Sequence, residues 1–77
     1  MASSPGNTVD LYIGHRVQIA RALAGLTAKE LADALGMRTQ QMLGYEAGER
    51  MGAATLFAIA RILKQPIGYF YEGLPED

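Results

Sequence analysis

Apolar residues recur at intervals of three and four along most of this 77-residue chain, which is the spacing of one face of an α-helix. The first such run starts at Val9 and ends near Ala24, where Gly25 is a suitable left-handed stop. No segment shows the alternation of apolar and polar residues that is typical of a β-strand. The pattern therefore predicts an all-α chain whose first helix covers residues 9–24.

The second predicted helix is short and has a clear signal at each end. Thr27 and Glu30 stand three residues apart in the arrangement of a capping box, and Leu31 and Leu35 continue from them as an apolar stripe. Gly36 follows, and glycine readily takes the left-handed conformation that ends a helix. We therefore expect a helix that begins after Thr27 and ends before Gly36.

The segment "MRTQQMLGYEAG" predicts a third helix almost directly after the second. Met42 and Tyr45 are three residues apart, which suits burial on one face, and Gly48 is a second stop. Gly44 interrupts the run, and a glycine inside a helix costs about 1 kcal/mol relative to alanine. Residues 39–47 are predicted as this third helix.

Two further helices are predicted near the C-terminus. The run "AATLFAIARIL" places apolar residues on one face of a fourth helix, which Pro66 prevents from continuing. Pro66 is tolerated in the first turn of a helix, and Ile67, Phe70 and Tyr71 follow it at helical spacing before Gly73. This segment is predicted as a short fifth helix.

The second and third helices together have the pattern of a helix-turn-helix. Two helices that meet at a steep angle need a very short turn with a residue at positive φ, and Gly36 supplies it. They also need a small residue where they cross, supplied by Ala32, and an apolar anchor on the second helix, supplied by Met42. The chain is long enough for one small domain built around this unit.

Composition and charge limit the functions that this domain can have. The formal net charge is −1, but residues 11–71 carry seven basic and four acidic side chains, a net charge of +3 that is compatible with nucleic acid. The chain has no cysteine and one histidine, so we expect neither a metal nor another cofactor. Glu30 and Asp33 are interpreted as a solvated face because no nucleophile or metal-binding spacing accompanies them, and we expect no enzyme activity.

The start of the chain, "MASSPGNTVD", has no basic region followed by a long apolar run, and no segment has the roughly 18 to 20 apolar residues that span a bilayer. We therefore expect a cytoplasmic protein without membrane contact. Residues 1–8 are predicted as a flexible lead-in, and residues 75–77 as an acidic C-terminal tail. The domain itself is predicted to cover residues 9–74.

Three segments, "ELADALGM", "QQMLGYEAG" and "LFAIARILKQPIGYFYEGL", resemble the Xre/Cro-type, phage-repressor-like DNA-binding domain of small bacterial regulators. The resemblance covers residues 9–74. It implies a compact five-helix lambda-repressor-like domain with a central helix-turn-helix, whose third helix enters the major groove of duplex DNA. It also implies a transcriptional regulator that binds DNA as a homodimer and lies on the nucleoid when bound. Because a sensor domain does not fit in 77 residues, we expect control by the protein's abundance, by a protein partner or by proteolysis.

The resemblance also assigns contacts with DNA to particular residues. Thr39 and Gln40 take the base-reading positions at the start of the third helix, and Gln41 lies beside them, within reach of either a base or the backbone. A glutamine can bond to N6 and N7 of adenine together. The phosphate contacts would come from basic residues on either side and from the first helix: Arg38, Arg50 and Arg16.

Several residues depart from the family's pattern. Ala28 stands where glutamine is usual, Arg38 stands where Ser or Thr usually caps the recognition helix, and Gly44 stands where a long polar side chain usually reaches into the groove. These differences support an alternative hypothesis, in which a degenerate helix-turn-helix has lost base readout and acts as a protein-interaction module or inhibitor. The side-by-side pair Gln40 and Gln41 favours DNA binding.

Two further expectations concern Glu46 and the aromatic residues near the C-terminus. In the family's pattern the matching glutamate is structural and pairs with a basic residue of the domain, so we expect Glu46 to do the same. Tyr69, Phe70 and Tyr71 are consecutive and cannot all face one side of a helix, so at least one points outward. These three residues are the candidate surface for a dimer or another partner.

Overall fold

The computed structural model describes residues 8–74, and all regular secondary structure in this part of the chain is helical, which confirms the predicted all-α class. The predicted N-terminal lead-in, apart from Thr8, and the predicted acidic tail lie outside the described residues. The elements are α1 (Thr8–Leu23), α2 (Ala28–Leu35), α3 (Thr39–Glu46), α4 (Ala53–Leu63) and a 3-10 turn (Ile67–Phe70).

One core joins these elements, and it contains no buried polar or charged side chain among the described residues. Its largest fully buried side chains come from all four helices and from the 3-10 turn: Phe70, Leu31, Met42, Ile59 and Val17. Burial of an apolar side chain of this size is worth about 1.5 to 3 kcal/mol relative to leaving it exposed. The stability of this small core therefore depends on a contribution from each of the five elements.

Three helix ends differ by one residue from those predicted, and the fifth element is of a different type. α1 ends at Leu23 rather than at residue 24, and α3 ends at Glu46 rather than at residue 47. Thr8, which was assigned to the lead-in, is the first residue of α1, so this helix begins one residue earlier than expected. The fifth helix is a four-residue 3-10 turn that follows Pro66. Gly68 lies inside this segment, and so short a stretch forms few of the hydrogen bonds that offset helix nucleation, which favours a 3-10 turn over an α-helix.

The short connection between α2 and α3 is formed as predicted. The Thr27 hydroxyl accepts a hydrogen bond of 3.0 Å from the Glu30 N–H, and the Glu30 carboxylate accepts one of 2.8 Å from the Thr27 N–H. At the other end of α2, Gly36 has φ 71° and its N–H donates to the carbonyl groups of Ala32 and Asp33. The chain turns there and enters α3 three residues later.

The N-terminus of α3 has no side-chain cap. Arg38 occupies the N-cap position with extended backbone (φ −75°, ψ 146°), and no side-chain hydrogen bond closes the first turn. Thr39 is already the first helical residue and does not replace the missing cap. A Ser, Thr, Asp or Asn at this position usually contributes about 0.5 to 2 kcal/mol. The stability of α3 therefore depends on packing against α1 and α2.

Candidate nucleic-acid interface

The exposed side of α3 carries two of the three residues that were predicted to read bases, Gln40 and Gln41. Met42 is fully buried and marks the face of α3 that packs on the core. Successive residues rotate by about 100° around a helix, so Gln40 and Gly44 point away from Met42, with Leu43 and Gln41 on either side of them. The side chains of Gln40, Gln41 and Leu43 are exposed accordingly.

The three predicted base-contact residues differ in their surroundings. Gln40 is exposed, whereas Thr39 is half-buried at the start of the helix. The side-chain amide of Gln41 donates a hydrogen bond of 3.1 Å to the hydroxyl of Tyr45, one helical turn further on. The structure therefore leaves Gln40 with the most accessible amide, and Gln41 would have to exchange its partner to contact DNA.

Arg38 and Arg50 lie on either side of α3 in the sequence and are both exposed. Within residues 8–74, no hydrogen bond or ion pair engages the Arg38 side chain. The Arg50 guanidinium lies 3.6 Å from the carboxylate of Asp10 in the first turn of α1, and its side chain remains 77% exposed. A pair with so exposed a partner is worth at most about 1 kcal/mol, so Arg50 can leave Asp10 at little cost.

Arg16 has a structural environment, which disagrees with its predicted role as a phosphate contact. Its guanidinium donates two hydrogen bonds to the carbonyl of Tyr69, at 3.0 and 2.9 Å, and one of 3.2 Å to the carboxylate of Glu72. It also lies 3.9 Å from the centroid of the Tyr69 ring, a cation–π geometry. Arg16 thus ties α1 to the C-terminal segment, because three hydrogen bonds to two acceptors and an aromatic face satisfy its charge there.

Glu49 lies beside Gly44, a contact that the sequence did not reveal. A Cβ atom built on Gly44 would be 2.8 Å from both carboxylate oxygens of Glu49. The Glu49 backbone N–H donates a 3.0 Å hydrogen bond to the Gly44 carbonyl, which holds this residue against the end of α3. Because Gly44 points outward, a carboxylate occupies the position where a basic or amide side chain would otherwise project.

Glu46 pairs with Arg21, which confirms the expectation that this glutamate is structural. The Arg21 guanidinium contacts the two carboxylate oxygens of Glu46 at 2.6 and 3.1 Å and donates a third hydrogen bond of 2.8 Å to the carbonyl of Leu26. The hydrogen bond with Glu46 raises the pKa of the Arg21 guanidinium, so this side chain stays charged. The pair connects the last turn of α3 to α1.

The three aromatic residues near the C-terminus point in different directions. Phe70 is fully buried in the core, so it cannot belong to a dimer or partner surface as predicted. Tyr69 is half-buried, packs edge to face against Phe70 and carries the Arg16 guanidinium on its ring. Tyr71 is 44% exposed, and of the three it alone presents a large free surface.

Other kinds of site are not found in the part of the chain that the structure describes. Among residues 8–74, no group of three or more His, Cys, Asp or Glu side chains could hold a metal ion. In the same residues, no helix has the length and apolar character needed to cross a membrane.

Comparison with known proteins agrees with the helix-turn-helix geometry. A sequence model of a family described as "Helix-turn-helix" matches residues 17–70, which includes the C-terminal part of α1 and all of α2, α3 and α4. The match also covers the 3-10 turn. The segment that joins α2 to α3 therefore lies within the family's own sequence pattern.

Three curated proteins illustrate what the chain is similar to. It is 36% identical over 72 residues to an uncharacterized HTH-type transcriptional regulator of Sinorhizobium medicae, covering 92% of this chain and 52% of that protein. It is 36% identical over 69 residues to one of Rickettsia prowazekii, covering 88% and 53%. A transcriptional regulator in the ATPase CF(0) region of Rhodospirillum rubrum is 39% identical over 67 residues, covering 86% and 62%. The chain thus spans between half and two thirds of these relatives.

Proposed function

The chain belongs to the helix-turn-helix family, and from this we propose that it binds duplex DNA sequence-specifically with α3 in the major groove. The observation that supports the proposal most is the exposed face of α3, on which Gln40 stands free beside the accessible Arg38. A major groove about 12 Å wide admits one helix with its side chains. Base readout would then begin at the N-terminal end of α3.

The proposed roles follow from charge and reach. Gln40 and Thr39 read base edges, and Gln41 contacts either a base or the backbone after leaving the hydroxyl of Tyr45. Arg38 and Arg50 bind phosphates and fix the position of α3 on the duplex. Arg16 is left out of this interface, because its guanidinium is already held by Tyr69 and Glu72.

We further propose that the protein regulates transcription in the cytoplasm as a symmetric dimer, as the names of the relatives and the exposed end of the domain suggest. Tyr71 is 44% exposed and Ile67 39% exposed, and these two side chains are the candidate dimer contacts. A two-fold dimer would bind a palindromic site with half-sites about one helical turn apart. We also keep a regulatory protein partner in the proposal, as one means by which the protein could be controlled.

The experiment that tests DNA binding is a salt-dependent titration of the protein with a random duplex library, followed by amide chemical-shift mapping on the selected duplex. Each phosphate contact contributes roughly −0.9 to the slope of log K against log salt. We expect a steep slope and shifts at Arg38, Thr39 and Gln40. If no amide moves even at low salt, DNA binding is excluded and the protein-interaction alternative takes its place.

Gln40→Ala and Arg50→Ala should have different effects on the selected duplex. Gln40→Ala removes a base contact and should lower the preference for the selected site over mismatched sites by about 1 to 3 kcal/mol. Arg50→Ala removes a phosphate contact and should weaken binding to all duplexes equally. It should also lower the magnitude of the slope of log K against log salt by about 1. Competition binding at three salt concentrations measures both quantities. Equal changes in preference from the two variants would contradict these roles.

Glu49→Gln should strengthen DNA binding, because it removes a negative charge from the outward face of α3. Two like charges 5 to 10 Å apart in water repel by about 0.4 to 0.8 kcal/mol, so the affinity should rise about two- to fourfold at low salt. The rise should shrink as salt is added, since salt screens exposed charges. Asp33→Asn, which alters an exposed carboxylate of α2, is the comparison variant. A weaker complex with Glu49→Gln would mean that the carboxylate accepts a hydrogen bond from DNA.

A further inference from the structure

Leu43 is an exposed leucine on the face of α3 that we propose to enter the major groove. It directly follows the buried anchor Met42, yet its own side chain is 50% exposed. It lies three residues after Gln40, and residues three apart are neighbours on a helix surface. An apolar side chain thus stands next to the predicted base-reading amide. At an exposed position of this kind, a polar side chain would be solvated more favourably than leucine.

Leu43 is the one large apolar side chain that α3 leaves exposed among the described residues. The other exposed large apolar side chains of the described residues belong to α1, α4 and the C-terminal segment: Val9, Leu11, Leu23, Phe57, Ile67 and Tyr71. Around Leu43, α3 presents Gln40, the bare backbone of Gly44 and the nearby carboxylate of Glu49. A stable protein interface buries about 800 Å² per partner, far more than one leucine provides.

A single apolar side chain among polar ones fits one feature of the major groove. Thymine is the only base of unmodified DNA with a methyl group there, and apolar side chains contact this methyl group in direct readout. Three residues advance about 4.5 Å along a helix, and stacked base pairs are 3.4 Å apart. Leu43 therefore reaches a base pair close to the one that Gln40 contacts.

We propose that Leu43 determines specificity by packing on the C5 methyl group of a thymine. Through this contact the protein distinguishes thymine from cytosine and uracil at that position of the site. The inference rests on the proposed function, because it requires α3 to lie in the major groove. Gln40 suits the edge of adenine, and Leu43 suits the methyl group of thymine. The two residues together predict neighbouring A·T pairs in the selected site.

The test replaces each thymine of the selected duplex, one at a time, with 2′-deoxyuridine, which lacks only the methyl group. Removing one buried methyl group from the interface should lower the affinity about fourfold. We expect this loss at one or two thymines with the wild-type protein. The variant Leu43→Ala should bind the thymine and deoxyuridine duplexes with equal affinity, because it has no side chain left to contact the methyl group.

Leu23→Ala is the matched control, since Leu23 is 77% exposed at the end of α1 and should retain the full preference for thymine. Circular dichroism should show that both variants fold, because neither side chain is buried. The inference is overturned if Leu43→Ala keeps the fourfold preference, or if no thymine is sensitive in a duplex that wild-type protein binds tightly. If the wild-type protein selects no duplex at all, the proposed function itself fails.

Discussion

Replacing Gly14 with alanine is expected to lower the free energy of unfolding by about 2 kcal/mol, within the range of 1 to 3 kcal/mol that is usual for overpacking. Gly14 is buried in α1, and a Cβ atom at this position would lie 2.3 Å from the carbonyl oxygen of Tyr45 and 3.0 Å from that of Glu46. Both atoms belong to the backbone of α3, so no side-chain rotation relieves the overlap. The two helices would have to separate.

Thermal unfolding measures this effect, since 1 kcal/mol corresponds to about 4 to 8 °C in a domain of this size. Gly68→Ala is the matched control: nothing lies within 4 Å of its Cβ position, and its φ is not in the left-handed region. The control should change the melting temperature little. Alanine is also the better helix former by about 1 kcal/mol, so an unchanged or higher melting temperature for Gly14→Ala would mean that α1 and α3 are not in such close contact.

The local parts of the fold could be predicted because their signals are carried by residues that are close in the sequence. Thr27 and Glu30 cap α2 from three residues apart, and Gly36 ends the same helix in the left-handed conformation. Met42 was predicted as the anchor of α3 from its spacing and is fully buried. Such features depend on backbone geometry within one or two turns, which the sequence specifies directly.

The long-range contacts could not be predicted in the same way. Arg16 is held by Tyr69, 53 residues away, and an exposed arginine of α1 would have had the same sequence pattern. The close approach of α1 and α3 at Gly14 also has no local signal, because a glycine in a helix only indicates lower helix propensity. Which element faces a residue depends on how the helices pack, and periodicity alone does not contain this information.

In the candidate site, too, some features could be predicted from the sequence and others could not. The resemblance to the family assigned Gln40 to the start of α3 as a base-reading residue, and the structure has its side chain exposed on the outward face of this helix. The position of Glu49 beside Gly44 was missed, because it depends on the path of the chain after α3 ends. The burial of Phe70 was also missed, since three consecutive aromatic residues give no sign of which one faces the core. Side-chain direction in short irregular segments requires the three-dimensional structure.

Contacts with α1 set the position of α3, and this bears on the proposed reading of DNA. Gly14 allows the backbone of α1 to touch the last turn of α3, and the pair of Arg21 with Glu46 fixes the same turn from one side. Gly48 packs just beyond that turn, where an added Cβ would lie 2.4 Å from the Leu11 side chain. The exposed face of α3 thus has a rigid support under its C-terminal end, while its N-terminal end lacks a side-chain cap.

The pair of Arg21 with Glu46 should therefore contribute more to stability than the other ion pairs seen within residues 8–74, and Glu46→Gln is expected to lower the free energy of unfolding by roughly 2 kcal/mol. The side chains of Arg21 and Glu46 are only 15% and 5% exposed, and removing one partner of a buried pair usually costs about 3 to 5 kcal/mol. The cost should be smaller here, because glutamine can still accept one hydrogen bond and Arg21 keeps its bond to Leu26.

Asp33→Asn makes the same chemical change in the pair of Lys29 with Asp33, whose side chains are 72% and 60% exposed, and it should cost no more than about 0.5 kcal/mol. Urea unfolding of both variants measures the difference, and amide hydrogen exchange then locates it. Faster exchange in the last turn of α3 than in α2 would show that Glu46 holds α3 in place. Equal losses from the two variants would instead mean that the partly buried pair of Arg21 with Glu46 contributes no more than a surface pair does.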